Sequence, residues 1–395
     1  MVLPMFPMEP RFFGNMSLVF SDKHDPRCAG NWSLVFRFIA AYDPEYHATR
    51  PYIIGALLTL GAVGLISNVL VIVFLAGHGR FRTSGLSALM LQLAIADVMV
   101  SLFCLLVDGV WNVTVAWLGG EVLCRFMKFV QMLSLYASTM ILTGMTVERC
   151  VTVIYPLSRC QPHIAMQRAR TVSIVVWFFA IVFSTPQMLI FRVERAPICV
   201  DFYQCVTYGS YSEPWQEVAY TLATLLIMFV FPLIINVICC ITISVLVSNE
   251  AKMAAGSRRT ELQNGYRVRI ASMQDPGLGR KAYRRTRQFS LWTTFCIAFI
   301  YMLCWCPYYA SMVAYVFHYH LPSSWMTIIL CFGMTSTVLN PVIYGIFRLL
   351  SARNRSERLR RQPSAMLSNM RTGSAVTEGS PFLHVPSSAV VASSA

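Results

Sequence analysis

Charge is what this sequence has least of. Only 13% of its 395 residues are charged, about half the share of a soluble domain, while 56% are hydrophobic. No run of alternating ten-residue segments appears, which excludes a transmembrane β-barrel. No C-x-x-C motif pairs with a second one or with histidines at metal spacing, so no zinc site is expected. No nucleophile–base constellation recurs, so neither enzymatic activity nor a cofactor is expected. Internal repeats and matched interrupted segments, the marks of a transporter, are missing. The first residues lack a basic stretch followed by an apolar core, so no cleaved signal peptide is expected.

The apolar residues that remain fall into seven blocks, at 51–76, 86–113, 121–154, 168–190, 214–247, 284–316 and 323–346. Each is long enough to cross a hydrocarbon core roughly 30 Å thick as a helix. The expected fold is an all-α membrane protein, a seven-transmembrane helix bundle. Residues 347–361, with Phe347, Leu349, Leu350 and Leu359 among arginines, are expected to form an amphipathic eighth helix along the inner leaflet. Residues 1–50 read as an extracellular segment with glycosylation sequons at Asn15 and Asn31, and 362–395 as a disordered cytoplasmic tail. Span seven holds no lysine, which removes a retinal Schiff base and with it a light-driven pump.

The net charge of +14 is concentrated in particular connections. Those after spans two and six carry no Lys or Arg, whereas that after span five runs from Lys252 and Arg258 to Arg285 and Arg287. The tail begins with Arg348, Arg353 and Arg355. By the positive-inside bias the N-terminus is outside and the C-terminus cytoplasmic, in a multi-pass plasma-membrane protein. Bases so placed orient a membrane protein, and no nucleic-acid partner is expected.

Most of the 13 cysteines lie in or beside apolar spans, where a thiol is a small packing residue. Cys28, Cys124, Cys199 and Cys205 alone fall where an oxidising compartment could bridge them. The third span is the organising element. From Cys124 to Arg149 it covers 25 residues, about 37 Å of helix. It therefore holds a disulfide-competent cysteine on one side of a bilayer and a Glu148–Arg149 pair on the other.

Polar groups inside spans are functional candidates. Asp97 lies mid-span, with Asn68 and Asn340 as plausible partners. They are expected to form a hydrated polar hub, structural or cation-binding or both. Asp108 and Asn112, four apart, share a helix face near the outer end of span two. Lys128 and Gln131 lie at similar depth in span three, and Trp305, Tyr308, Tyr309 and Tyr315 form a stripe in span six. Aromatic stripes often only pack. Here three spans converge polar and aromatic groups at one depth, as a ligand pocket requires. Pro186, Pro232, Pro307 and Pro341 interrupt helices between this level and the basic surface, and offer hinges.

In order along the chain, Gly64-Leu65-Ile66-Ser67-Asn68-Val69-Leu70, Leu93-Ala94-Ile95-Ala96-Asp97, Cys124, Glu148-Arg149, Trp177, Pro232, Cys304-Trp305-Cys306-Pro307 and Asn340-Pro341-Val342-Ile343-Tyr344 resemble the rhodopsin-like G-protein-coupled receptors. Ser184-Thr185-Pro186-Gln187, Gln204-Cys205-Val206-Thr207, Trp215-Gln216-Glu217 and Cys304-Trp305-Cys306-Pro307-Tyr308-Tyr309 narrow the resemblance to receptors for gonadotropin-releasing hormone, adipokinetic hormone and corazonin. Vasopressin- and oxytocin-type receptors share parts of these motifs and are the alternative, as is an orphan or decoy receptor.

The resemblance implies a peptide-hormone ligand held by Asp108, Asn112, Gln131, Tyr308, Tyr309 and Tyr315, with Lys128 and Trp305 beside them. It implies a heterotrimeric G-protein partner, with Asp97, Glu148, Arg149, Trp305, Pro307, Asn340, Pro341 and Tyr344 in activation and coupling. It also implies a Cys124–Cys205 disulfide, leaving Cys28–Cys199 as a candidate second bridge or two free thiols. Arrestin and receptor kinases would act on tail residues such as Ser364 and Ser368. Gln131 stands where mammalian receptors of the group carry lysine, and Cys150 replaces the usual residue after the arginine. Arg287 stands where many receptors carry an acid that holds that arginine, so Arg149 is expected to have only Glu148 nearby.

Overall fold

The computed structural model describes residues 44–77, 85–155, 162–195, 202–263, 276–317, 319, 321–322, 324–343 and 345. Asn15, Cys28, Asn31, Cys199, Tyr344, the expected eighth helix and the tail lie outside the described residues.

Seven helices are long and apolar enough to cross a membrane. They are α1 (Pro44–Gly77), α2 (Gly85–Thr114), α3 (Gly120–Ile154), α4 (Pro162–Ser184), α5 (Pro214–Asn249, its helix continuing to Gln263), α6 (Pro276–Val316) and α7 (Ser324–Ile343). Helices close every backbone hydrogen bond within one segment, and hydrocarbon demands that closure. The expected first span began at 51. The helix starts seven residues earlier, at Pro44, and runs through Pro51. At a first helical position the missing N–H of proline is no loss.

The other prolines mark departures from regular helix. α4 ends in a turn at Thr185 and Pro186, followed by one helical turn, Gln187–Ile190. In α5 a π-helical segment, Leu226–Val230, directly precedes Phe231 and Pro232. A proline ring excludes the carbonyl four residues back, here that of Met228, and a widened turn accommodates it. α2 carries a second π segment, Val100–Leu106, with no proline to announce it.

α3 is the axis. It packs against α2, α4, α5 and α6, and 72% of its membrane window is buried, against 22% for α1, α4 and α5. Neighbouring helices approach closely at small residues, the usual device where hydrophobic burial gives no drive between helices. A Cβ on Gly64 of α1 would sit 2.6 Å from Ser101 Oγ on α2, and one on Gly144 of α3 would sit 2.7 Å from Val172 Cγ1 on α4.

Between α4 and α5, β1 (Arg192–Arg195) and β2 (Tyr203–Val206) pair antiparallel, with Val193 opposite Cys205. The Cys124–Cys205 disulfide fastens β2 to the start of α3, with 5.6 Å between the Cα atoms.

A Cβ on Gly85 of α2 would lie 2.4 Å from the backbone oxygen of Ala165 in α4, whereas one on Gly55 meets nothing within 4 Å. Gly85→Ala is therefore expected to cost about 1–3 kcal/mol by forcing backbone apart. Gly55→Ala should be neutral or stabilising, since alanine is the better helix former by about 1 kcal/mol. Thermal unfolding of the two detergent-purified variants checks the contrast; equal melting temperatures would refute the close approach.

Candidate ligand pocket and signalling core

At the disulfide end, polar side chains from several helices meet. Gln131 of α3 donates from Nε2 to Asp108 Oδ1 of α2 at 2.8 Å and to the Phe103 carbonyl at 2.7 Å. Asn112 donates to the Asp108 carbonyl one turn back, and its own Oδ1 accepts from the Tyr46 hydroxyl of α1 at 2.6 Å. Ser324, the first residue of α7, donates to Glu45 of α1 at 2.9 Å. The expected quartet on α2 and α3 is thus one neighbourhood, with Tyr46 as a member the sequence did not suggest.

Lys128 is the outstanding group. It is 1% exposed, its Nζ makes no hydrogen bond, and it lies 4.6 Å from the ring centroid of Trp111 and 5.5 Å from that of Phe191. Cation–π attraction holds the ammonium, and the nearby Asp108 charge adds to it. Trp111 Nε1, Gln131 Oε1 and Gln187 Oε1 are also buried without a hydrogen-bond partner. With Lys128 they make one cationic donor, one indole donor and two amide acceptors.

The α5–α6 side is aromatic and acidic. Tyr315 donates to Glu217 Oε1 at 2.9 Å, and Gln187 donates to the Tyr220 hydroxyl. Burial pushes the phenol of Tyr211 up from its ordinary value, and the Glu217 charge adds to that, so it stays a protonated donor. Tyr308 and Tyr309 lie edge-to-face at 5.3 Å, and Tyr309 stacks on Phe229 of α5 at 4.7 Å. Glu217, Gln187, Trp111 and Tyr220 were not singled out as ligand groups. Their signal was an isolated polar residue near the end of an apolar span.

A strained turn closes this end. Val115, after α2, has φ 63° and is 2% exposed. The Ala116 amide donates to the Thr114 carbonyl at 2.7 Å, making a γ-turn of the rare positive-φ kind. Such a backbone costs a β-branched residue about 1–3 kcal/mol and persists where neighbours over-determine it. Here Gln204 of β2 donates to the Val115 carbonyl, and the Trp117 amide donates to the Tyr203 carbonyl at 2.8 Å. Glu121 at the head of α3 accepts from the Val193 amide of β1 at 2.6 Å. The hairpin is therefore fixed by one covalent bond and these three hydrogen bonds, over a cluster of Trp111, Trp117, Met127 and Phe191.

Below the tyrosines, Trp305 lies against Gly333 of α7, where a Cβ would come within 3.0 Å of its ring, and donates to Ser336 at 3.3 Å. Mid-bundle, Asp97 is fully buried. Its Oδ1 accepts from Ser138 of α3 and its Oδ2 from Asn340 of α7, both at 2.8 Å. Asn68 makes no hydrogen bond to Asp97. It donates instead to the carbonyls of Gly64 and Thr337, tying α1 to α7. The hub is thus Asp97–Asn340–Ser138, with Asn68 beside it. Among the described residues no group of three or more His, Cys, Asp or Glu is placed to hold a metal ion.

At the far end of α3, Glu148 has a partner that the sequence did not suggest. Both Glu148 oxygens accept from Arg168 of α4, at 2.9 and 3.0 Å. The fork of an arginine reaching across from a neighbouring helix fits a carboxylate better than a residue adjacent in the same helix, which points elsewhere.

Seven spanning helices, a covalently pinned hairpin at one end, a proline-broken α6 and a buried Asp97 define a seven-transmembrane receptor. Residues 67–344 match the model of the 7 transmembrane receptor (rhodopsin family), and the chain belongs to that family of G-protein-coupled receptors. It is similar to the gonadotropin-releasing hormone receptor of Octopus vulgaris, at 31% identity over 75% of this chain and 71% of that one. It is 29% identical to the gonadotropin-releasing hormone II receptor of Clarias gariepinus over 77% of each chain. With the gonadotropin-releasing hormone receptor of Rattus norvegicus it shares 27% over 68% of this chain and 78% of that one.

Asn340→Ala strips the buried Asp97 Oδ2 of its donor. It should cost about 1–3 kcal/mol, read as a lower melting temperature of the purified receptor. Asn340→Asp would set a second acid against Asp97 and should cost more. An unchanged melting temperature for both variants would refute the hub.

Proposed function

We propose that the chain is a receptor for a small amidated peptide hormone of the gonadotropin-releasing and adipokinetic type. Its pocket faces the extracellular side, its basic connections and tail face the cytoplasm, and it activates a heterotrimeric G protein of the Gq type to raise calcium. The observation that carries this reading is Lys128. A buried ammonium without a hydrogen bond is costly. An acceptor brought by a ligand, such as the carbonyl of a terminal amide, relieves that cost. Asp108, Asn112 and Gln131 would take the ligand's amide groups, and Tyr308, Tyr309 and Tyr315 its aromatic or basic residues. Glu217 adds a carboxylate for a basic residue.

Trp305 lies between the tyrosines and α7, so a ligand pressing on Tyr308 would bias α6 about Pro307. Arg149, with Pro341 and Tyr344 in the activation set, would then meet the G protein. Such a bias is limited to the ligand's differential affinity for the two states. Receptor kinases and arrestin would follow through the serines of the tail.

A calcium assay against a panel of amidated neuropeptides tests the reading, and silence across the panel at normal surface expression would overturn it. With an active peptide in hand, Asp108→Ala and Lys128→Ala are each expected to lower potency at least tenfold, about 1.4 kcal/mol, without lowering surface expression. Arg149→Ala should abolish the calcium signal while peptide binding survives; retained signalling would remove Arg149 from the coupling role.

A further inference from the structure

Beside the polar neighbourhood of Asp108 and Lys128, α2 and α3 enclose a second space. It has a volume of about 570 Å³, within the roughly 300–1,000 Å³ of small-molecule sites. On α2 its lining climbs four residues at a time through Leu102, Leu106 and Val110, and on α3 it includes Leu123 and Met127. Val110 and Leu123 are exposed although they lie within spanning helices, so the space opens toward lipid. Leu102 and Leu106 belong to the π segment of α2, a departure from regular helix that recurs at functional sites. From Leu102 to Trp111, which stands three residues before the end of α2, the lining covers about 14 Å of helix. The groove therefore runs from the interior of the bilayer toward its surface at the disulfide end.

The chemistry of the lining selects an occupant. Among the described residues that form it none is charged. The Thr114 hydroxyl is engaged with the Ala116 carbonyl at 3.0 Å, and Trp117 Nε1 donates to the Gly120 carbonyl at 2.9 Å. Trp111 is different. It is 4% exposed, and its Nε1 makes no hydrogen bond. A phosphate-bearing head group would call for a cation, which this lining does not offer. An apolar body with a single uncharged oxygen at one end fits better. It covers the leucine and valine wall and gives the buried indole donor the acceptor it lacks. A rigid fused-ring body also loses less rotational freedom on binding than a flexible acyl chain.

We propose that this groove is a sterol site, with Trp111 Nε1 donating to the sterol oxygen and the rings lying against Leu102, Leu106 and Val110. The oxygen then sits near the membrane surface and the rings deeper, as a sterol lies in a bilayer. The same indole carries Lys128 Nζ at 4.6 Å, so it belongs both to this groove and to the ligand pocket.

Competitive photo-cross-linking of the full-length receptor in phosphatidylcholine vesicles tests the proposal. A cholesterol analogue carrying a diazirine should label α2 and α3 within Leu102–Met127, mapped by mass spectrometry. Cholesterol and cholestanone both offer an acceptor oxygen, and each should displace that label. Cholestane, the same rings without oxygen, should not do so at equal concentration. Val110→Phe fills the groove from its exposed side, and Trp111→Phe keeps a ring but removes the N–H. Each should lower labelling roughly threefold or more, the size of one modest hydrogen bond. Val175→Phe, at an exposed position of α4, should leave it unchanged. Label spread over the exposed residues of every span, or equal competition by cholestane, would mean ordinary bilayer contact and overturn the proposal. Full labelling of Trp111→Phe would overturn it too. The Trp111 ring packs edge-to-face on Trp117 at 5.1 Å, so its replacement could unfold this end. In that event the competitor series on the native receptor and the Val110→Phe variant decide.

Discussion

Inside a bilayer a polar side chain has no water to turn to, so each must find a partner in the protein or in a ligand. Much of this structure follows from that constraint. Asp97 meets it with Ser138 and Asn340, drawing α2, α3 and α7 to one point. Asn68 meets it by donating to the Thr337 carbonyl of α7, although its Oδ1 stays without a partner. At the disulfide end the constraint is left unmet by Lys128, Gln131, Gln187 and Trp111 together. Satisfied polar groups hold the bundle, and several of the unsatisfied ones lie toward the disulfide end.

A pocket of that kind works only if its wall is rigid, and the wall here is over-determined. The disulfide alone would leave β2 free to pivot about one bond. The γ-turn at Val115, the Gln204 and Trp117 hydrogen bonds and the Glu121 carboxylate remove that freedom from several directions. The strain at Val115 is tolerable because the surrounding contacts exceed it. On α6, Tyr308 leads to Trp305, and Trp305 to Gly333 and Ser336 of α7.

The large features were legible in the sequence because they depend on composition over long stretches. Seven apolar runs, each broken by turns and basic loops, specify seven helices whatever their contacts. Individual polar residues in those runs were legible as candidates because polarity in hydrocarbon is costly. What stayed hidden was pairing. Nothing in the sequence distinguishes Ser138, which reaches Asp97, from other serines of α3. A valine at positive φ gives no turn signal at all. The Glu148–Arg168 bridge stayed hidden because nothing in the sequence says that Arg168 faces Glu148 across the α3–α4 contact. The earlier start of α1 was missed because Pro51 resembles a beginning.

The Glu148–Arg168 bridge changes how the two ends of α3 relate. At one end the helix is tied covalently to the lid. At the other, its acidic residue is tied to α4, a helix that packs on α3 and α2 rather than the α6 that carries Pro307. In a receptor whose arginine is restrained by an acid on the moving helix, resting and active states are separated by breaking that bond. Here α6 carries no Asp or Glu over Pro276–Val316, so no acid of that helix restrains an arginine of α3. What joins α6 to its neighbours is instead Trp305, against Gly333 and donating to Ser336 of α7, and Tyr301, whose hydroxyl shares a hydrogen bond with Thr139 of α3 at 2.6 Å.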